Sequence, residues 1–290
     1  MRALRWLILV AVLGAAAGWW MTRARPLPGD ALAALEGDAV RGEAVFLAGG
    51  CASCHAAPET TDKRRLSGGQ RFASDFGTFV APNISPDPVQ GIGSWTGAQF
   101  ASALRRGVSP EGRHYYPAFP YTAYARMRDQ DVVDLWAFWQ TLPASDAESQ
   151  PHEVGFPFSV RRGVGLWKLL YLNDGWVMQG DLDPTLERGR YLVEALAHCG
   201  ECHTPRGPLG GLDTARWLQG APNPSGKGKI PALTPDRLTW DAGEIAYYLE
   251  TGFTPDYDSA GGHMVAVVEN FGQLTAQDRA AVAAYVKALP

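Results

Sequence analysis

Apolar side chains recur at steps of three and four residues in two stretches of the chain, the spacing that places them on one face of an α-helix. The first stretch contains Val132, Leu135, Trp136, Trp139 and Leu142, and the second contains Val282, Tyr285, Val286 and Leu289. Residues 56–94 and 204–239 are instead rich in Gly, Pro and Ser and show little periodicity. Loops this long are unusual in a compact domain unless something else packs them. The pattern therefore predicts an all-α fold whose long loops are packed by a large bound group.

The first 25 residues form a separate apolar segment. The run Trp6–Met21 has no charged residue and ends in two tryptophans and a methionine, which suit a membrane interface. Arginines flank it at residues 2, 5, 23 and 25. The run is at the lower limit of length for a membrane-spanning helix, and its small residues also fit a secretory signal. We expect residues 1–25 to be a transmembrane anchor or a signal helix, and we favour the anchor.

The rest of the chain contains a repeat. The segment Cys51-Ala-Ser-Cys54-His55 recurs as Cys199-Gly-Glu-Cys202-His203. Other landmarks recur in the same order, among them Arg-Gly at 41–42 and 188–189, Gly-x-x-Pro at 107–110 and 252–255, and Leu-Pro at 142–143 and 289–290. Self-similarity of this kind indicates tandem duplication of one domain. It predicts domains at residues 36–145 and 184–290, joined by a linker at 146–183.

A glycine precedes each cysteine motif inside a predicted helix. Gly42 and Gly189 lie four residues before the apolar residues Phe46 and Val193. Glycine in a helix lowers its stability, and it allows another backbone to approach closely. We therefore expect a second helix to pack against each of these glycines.

The two Cys-x-x-Cys-His motifs carry the chemistry. Two thiols three residues apart on one turn can each add to a vinyl group of haem, while the adjacent histidine reaches the iron from the same face. This is the c-type haem attachment motif. A zinc ribbon is disfavoured because its cysteine pairs are normally about 15–20 residues apart, whereas 144 residues separate Cys54 from Cys199. A redox dithiol or a disulfide does not explain a histidine after both pairs.

Further segments resemble membrane-anchored dihaem cytochromes c, similar to the cytochrome c subunits of bacterial alcohol and sugar dehydrogenases. They are Asn83-Ile-Ser-Pro86-Asp87, Gly91-Ile-Gly-Ser-Trp95, Tyr116-Pro-Ala-Phe-Pro-Tyr121 and Gly262-His-Met264-Val-Ala-Val-Val-Glu-Asn270. The resemblance covers nearly everything after the apolar segment and implies two tandem cytochrome c domains. Those dehydrogenase subunits typically have three haems. With two motifs, this chain is more similar to the shorter dihaem carriers.

The predicted cofactors are two covalently attached haem c groups. The predicted cofactor-binding residues are Cys51, Cys54 and His55 in the first domain, and Cys199, Cys202 and His203 in the second. The histidines are the proximal iron ligands, and each is expected to donate its other ring N–H to a backbone carbonyl. Pro82 and Pro231 are the candidates for that carbonyl, in agreement with the family arrangement.

Methionine is the predicted sixth ligand of both irons, as in cytochromes c in which Met/His ligation raises the potential. Met264 lies in a loop before the closing helix and is the predicted ligand of the second haem. Its equivalent in the first domain is Phe119, which cannot bind iron. Met127, eight residues further on, is the predicted ligand there, although counting back from Leu-Pro aligns it with Leu274. His114 and an open iron remain alternatives.

The composition excludes one class of function, nucleic-acid binding. The chain is 46% hydrophobic and 19% charged with a net charge of −4, so it lacks the broad basic surface of a nucleic-acid binder. We expect an electron-transfer protein, not an enzyme, with haem domains facing the periplasm from the inner membrane, or free in the periplasm if the signal is removed. It would carry electrons from a dehydrogenase toward a terminal oxidase or another cytochrome. The alternatives are a peroxidase-like dihaem enzyme with an open first haem and a fixed subunit of a dehydrogenase complex.

Overall fold

The computed structural model describes residues 1–223 and 228–290 and shows a long N-terminal helix followed by two domains of similar construction. Helix α1 spans Arg2–Met21, and none of its side chains is buried. Its length and apolar composition would allow it to cross a membrane. The first domain contains α2 (Ala39–Ala48), α3 (Cys51–His55), α4 (Gly97–Arg106), α5 (Tyr121–Tyr124) and α6 (Asp129–Trp139).

Helix α7 (Gly163–Tyr171) lies between the domains. The second domain contains α8 (Pro184–Tyr191), a π-helical turn (Leu192–Leu196), α9 (Gly200–His203), a 3-10 turn (Thr214–Arg216), α10 (Ala242–Thr251), α11 (Met264–Phe271) and α12 (Ala276–Lys287). Both domains are thus mostly helical.

Two short hairpins depart from a purely α-helical fold. Strands β1 (Arg71–Ser74) and β2 (Gly77–Val80) pair antiparallel with Arg71 opposite Val80. Strands β3 (Ala221–Pro222) and β4 (Lys229–Ile230) pair in the same way in the second domain. Each hairpin lies in the long loop that follows a cysteine motif. With strands of four and two residues, the hairpins satisfy backbone groups of these loops, and the helices supply most of the core.

The first and last helices of each domain pack closely against each other. A Cβ added to Gly42 in α2 would lie 2.0 Å from the carbonyl oxygen of Asp134 in α6. A Cβ added to Gly189 in α8 would lie 2.1 Å from the carbonyl oxygen of Ala281 in α12. Real Cβ atoms do not approach other atoms this closely, so these contacts require glycine. The expectation that a second helix packs against each glycine is confirmed.

The two domains differ by one residue before the cysteine motif. Arg41 and Cys51 are ten residues apart, whereas Arg188 and Cys199 are eleven apart. The additional residue is accommodated in the π-helical turn, where the Ala197 N–H bonds the carbonyl of Leu192, five residues back, at 2.7 Å. Single π turns of this type often lie at functional sites.

The two domains share one hydrophobic core, to which both closing helices contribute. The Tyr191 hydroxyl of the second domain accepts a hydrogen bond from the Arg128 N–H at 3.1 Å and donates one to Asp131. The predicted linker is ordered against the first domain, because Glu153 exchanges two backbone hydrogen bonds with Thr78 of β2, at 2.8 and 3.0 Å. The domains are therefore fixed relative to each other.

Candidate haem sites

The two Cys-x-x-Cys-His motifs form short helices in matching positions. Helix α3 contains the first motif, and in the second Cys199 is the N-cap of α9. A residue in the left-handed region precedes each motif: Gly50, with a φ of 60°, and His198, with a φ of 42°. These residues turn the chain out of the preceding helix, and the thiols three residues apart then lie on one side of the following turn.

The histidine of each motif is held by a proline carbonyl. His55 Nδ1 lies 3.0 Å from the carbonyl oxygen of Pro82, and His203 Nδ1 lies 2.8 Å from that of Pro231. Because a carbonyl only accepts, Nδ1 carries the hydrogen in both rings and Nε2 has the free lone pair. Burial lowers the pKa of both imidazoles and favours the neutral form that binds a metal. The predicted carbonyl partners are confirmed.

The four thiols suit covalent attachment of haem. None of them forms a disulfide within the described part of the chain. Burial raises the pKa of Cys51 and Cys199 to about 12, so these thiols are protonated at neutral pH. Among the described residues, no group of three or more His, Cys, Asp or Glu side chains could hold a metal ion. Each motif thus presents two neutral thiols for covalent attachment and one oriented imidazole for the iron, the groups that haem c requires.

The two motifs lie next to each other across the domain boundary. The His198 Nε2 atom, beside the second motif, lies 3.3 Å from the carbonyl oxygen of Gly49, beside the first. Tyr124 donates its hydroxyl to the same carbonyl at 3.0 Å. Sequence reasoning gave His198 no role, but its ring joins the two sites.

A buried hydrogen-bond network surrounds the second motif. The Glu194 carboxylate, in the π-helical turn, is 1% exposed and accepts hydrogen bonds from the backbone N–H groups of Val177 and Met178 at 2.6 and 2.9 Å. It also accepts one from the Tyr285 hydroxyl at 2.7 Å, and that hydroxyl in turn accepts the Trp217 Nε1 hydrogen at 3.0 Å. This network connects the linker and the closing helix around Cys199, and the sequence pattern did not indicate it.

The motif residue Glu201 also bridges the domains. Its carboxylate accepts a hydrogen bond from the Thr122 hydroxyl of the first domain at 2.9 Å and from the Arg206 guanidinium at 2.5 Å. Its side chain is 12% exposed. Charge-assisted hydrogen bonds of this kind are stronger than neutral ones, so Glu201 helps fix the first domain against the second motif.

The predicted sixth ligands occupy different positions. Met264 is half-buried and is the first residue of α11, so it begins a helix and does not lie in the predicted loop. Met127 is 2% exposed, and its N–H bonds the Tyr124 carbonyl at 3.0 Å in the turn before α6. Leu274 makes the matching bond to Phe271 at 3.1 Å before α12. Burial suits an iron ligand and a core residue equally, so Met127 as ligand stays a prediction, and so does Met264.

The alternative ligand His114 has its Nε2 atom hydrogen-bonded at the end of α1. Its Nε2 atom lies 2.9 Å from the carbonyl oxygen of Thr22, at the end of α1, and the residue is 5% exposed. Phe119 is half-buried, with its ring 5.8 Å from that of Tyr124.

Comparisons with known proteins agree with this arrangement. The family model described as cytochrome c matches residues 39–143 and again residues 186–290. A "Diheme cytochrome c-type" protein of Cereibacter sphaeroides is 58% identical over 286 residues, covering 98% of this chain and 96% of the relative.

Longer relatives are subunits of dehydrogenases. The fructose dehydrogenase cytochrome subunit of Gluconobacter japonicus is 35% identical over 275 residues, 92% of this chain and 56% of that protein. The cytochrome c subunit of the quinone alcohol dehydrogenase of Gluconacetobacter polyoxogenes is 32% identical over 267 residues, 86% of this chain and 55% of that protein. The chain thus spans just over half the length of these subunits. It belongs to the cytochrome c family and is a dihaem c-type electron-transfer protein with two covalently bound haem c groups.

Proposed function

We propose that this protein is anchored in the inner membrane by α1 and carries electrons in the periplasm from a dehydrogenase toward a terminal oxidase or another cytochrome. The contact between the two Cys-x-x-Cys-His motifs supports this proposal most directly. A path in which the electron passes from one haem to the other needs two neighbouring sites at a fixed separation. The hydrogen bond between His198 and Gly49 joins the segments that hold those sites.

In this proposal each domain holds one haem. Cys51, Cys54 and His55 bind the first, and Cys199, Cys202 and His203 bind the second. Met127 and Met264 are the sixth ligands of the first and second irons. When bound, haem iron accepts and returns single electrons.

The protein itself orients the ligands and holds the sites rigid. The carbonyls of Pro82 and Pro231 keep the hydrogen on Nδ1, so that Nε2 of each ring would be free to bind an iron, and such a hydrogen bond raises the basicity of the ligand. Buried apolar side chains, among them Val45, Ala52 and Leu196, pack near the motifs. The network of Glu194, Tyr285 and Trp217 limits movement of the second motif when the haem changes between its oxidised and reduced states.

A dehydrogenase as electron donor is proposed from the relatives. Two of them are named as cytochrome subunits of fructose and alcohol dehydrogenases. The test uses membranes that contain the full-length protein, with membranes lacking it as the control. On addition of an alcohol or a sugar, the reduced c-haem absorbance should appear, and oxygen should then remove it. Haem that stays oxidised with every such substrate, yet is reduced by dithionite, would contradict the donor assignment.

The enzyme alternative rests on Phe119, which stands where the second domain has Met264. An open first iron would react with hydrogen peroxide, so catalytic peroxide consumption by the purified protein would favour that alternative. The fixed-subunit alternative is distinguished by purification. A carrier separates from its dehydrogenase in mild detergent at moderate salt, whereas a subunit stays with it in constant ratio.

A further inference from the structure

Helix α7 exposes three leucines, while its buried side contains a lysine beside Val164 and Gly165. Its three outward leucines, here called the leucine face, are Leu166, Leu169 and Leu170, exposed by 58%, 51% and 64%. Its one charged residue, Lys168, is 9% exposed and donates to the carbonyls of Arg106 and Gly107 at 2.6 and 2.7 Å. A surface helix of a protein in water normally buries its apolar side. The exposure of three large apolar side chains on one short helix is the feature that suggests contact with an apolar environment.

Exposed apolar side chains continue along the chain before α7. Phe156, Phe158 and Val160 are exposed by 86%, 45% and 52%. Single exposed apolar residues are normal, but a contiguous group of them marks a surface that binds a partner or a membrane. Together with the leucine face, this segment places six large apolar side chains within fifteen residues of sequence.

The end of α1 is attached to the start of α7. The Arg162 guanidinium donates to the Thr22 hydroxyl at 3.0 Å and to the backbone carbonyl of Trp19, and it stacks on the Trp19 ring at 3.9 Å. The carbonyl of Thr22 also lies against Gly165, where an added Cβ would be 2.3 Å away. The end of α1 is therefore fixed to α7 by several contacts.

This attachment determines what covers the leucine face. If α1 spans the bilayer, Trp19 lies at the membrane interface, where tryptophan is enriched. A helix rises about 1.5 Å per residue, so Leu170 lies roughly 7.5 Å along α7 from Gly165, which contacts Thr22. The leucine face therefore begins next to the end of α1 and extends no further from it than roughly the 5–10 Å to which interfacial helices bury their apolar faces.

We propose that the leucine face of α7 lies in the interfacial region of the same bilayer that α1 crosses. Helix α7 is then a second membrane contact, and it fixes the orientation of both haem domains relative to the membrane surface. The inference rests on the proposed anchor and is independent of the electron donor and acceptor.

The test uses the full-length holoprotein in phospholipid nanodiscs, with a nitroxide spin label on the single free cysteine of Leu169→Cys. The native cysteines are bound to haem and do not react. The matched control is Val89→Cys, at a residue 81% exposed in the first domain. Collision of each label with oxygen, which concentrates in lipid, and with a water-soluble nickel chelate is measured. We expect the ratio of oxygen to nickel accessibility at residue 169 to exceed that at residue 89 several-fold.

Two results of the labelling, and one of the intact mass, would overturn the proposal. Equal ratios at both labels would mean that the leucine face is in water, free for a protein partner. Protection of residue 169 from both reagents would mean that protein covers it, such as a second copy of the chain. The intact mass of the reconstituted protein shows whether residues 1–25 are present. A shortened chain would disprove the anchor itself, and this outcome is distinct from a failure of the leucine face or of the electron-carrier function.

Discussion

Replacement of Gly189 by alanine tests the helix contact that closes the second domain. The added Cβ would lie 2.1 Å from the Ala281 carbonyl oxygen, 2.9 Å from its carbonyl carbon and 2.8 Å from the Tyr285 Cβ. Ordinary contacts of a Cβ are 3.4 to 4 Å. Two of the three obstacles are backbone atoms, which cannot rotate away as the end of a side chain can. Helices α8 and α12 would therefore have to separate by about 1 Å or more to regain normal contact distances.

The size of the effect follows from two opposing contributions. In a free helix, alanine is more stable than glycine by about 1 kcal/mol. Overpacking of a close contact costs typically about 1–3 kcal/mol, and occasionally more. Because the contact at Gly189 is tighter than any real Cβ contact, we expect the second contribution to prevail. The net destabilisation should be about 1–2 kcal/mol, although alanine has the higher helix propensity.

The assay is guanidinium unfolding of the holoprotein, followed by far-ultraviolet circular dichroism and by haem absorbance. The matched control is Gly97→Ala in the first turn of α4, where the nearest atom, Cδ1 of Trp136, would be 3.5 Å from the new Cβ. Gly97→Ala should leave the stability unchanged or raise it slightly. If Gly189→Ala is as stable as Gly97→Ala, the close packing of the closing helices is refuted.

Three further predictions concern the second site, the cofactor and one buried lysine. Tyr285→Phe should lower the free energy of unfolding by about 1–3 kcal/mol, because buried Glu194 loses one of its hydrogen bonds and the half-buried Trp217 indole loses its acceptor; unchanged stability would argue against the network. The double substitution Cys199→Ser and Cys202→Ser should leave residues 184–290 sensitive to protease, since the loops of this domain depend on haem for packing; native-like protease resistance would refute this dependence. Burial lowers the pKa of Lys168 to about 7, while in the unfolded chain it stays near 10.4. Unfolding then takes up a proton between these values, so stability rises with pH over that range; Lys168→Met should flatten this rise, and an equal slope in both proteins would contradict it.

Local sequence signals predicted several features of the fold and the sites. Gly42 and Gly189 predicted the close helix packing. Glycine inside a helix lowers its stability, so its presence there indicates that another backbone approaches closely. The spacing from His55 to Pro82 and from His203 to Pro231 matched the family arrangement, and the structure has both hydrogen bonds. These features are predictable because one residue type at one position is enough to specify them.

Other features depend on contacts between distant parts of the chain. In the sequence, Glu194 looks like an ordinary helix residue. Its hydrogen-bond partners are two N–H groups of the linker and Tyr285, which is 91 residues away, so only the fold brings them together. His198 likewise has a role only because the fold brings Gly49, 149 residues away, to its ring. One feature of the sequence indicates the π-helical turn, namely the additional residue between Arg188 and Cys199. The hairpins are too short for strand periodicity to show.

The most direct test of a closed, two-haem electron carrier is the methionine-to-iron charge-transfer band of the oxidised protein, measured per haem. Leucine replaces each candidate methionine in turn, since this change nearly conserves volume. Met178→Leu serves as the control, because Met178 is partly buried against the core and is not a predicted ligand. The native protein and the control should show two band equivalents, and Met264→Leu and Met127→Leu should show one each. A single equivalent in the native protein that survives Met127→Leu would show that the first iron has no methionine ligand, and it would contradict a carrier with two closed haems.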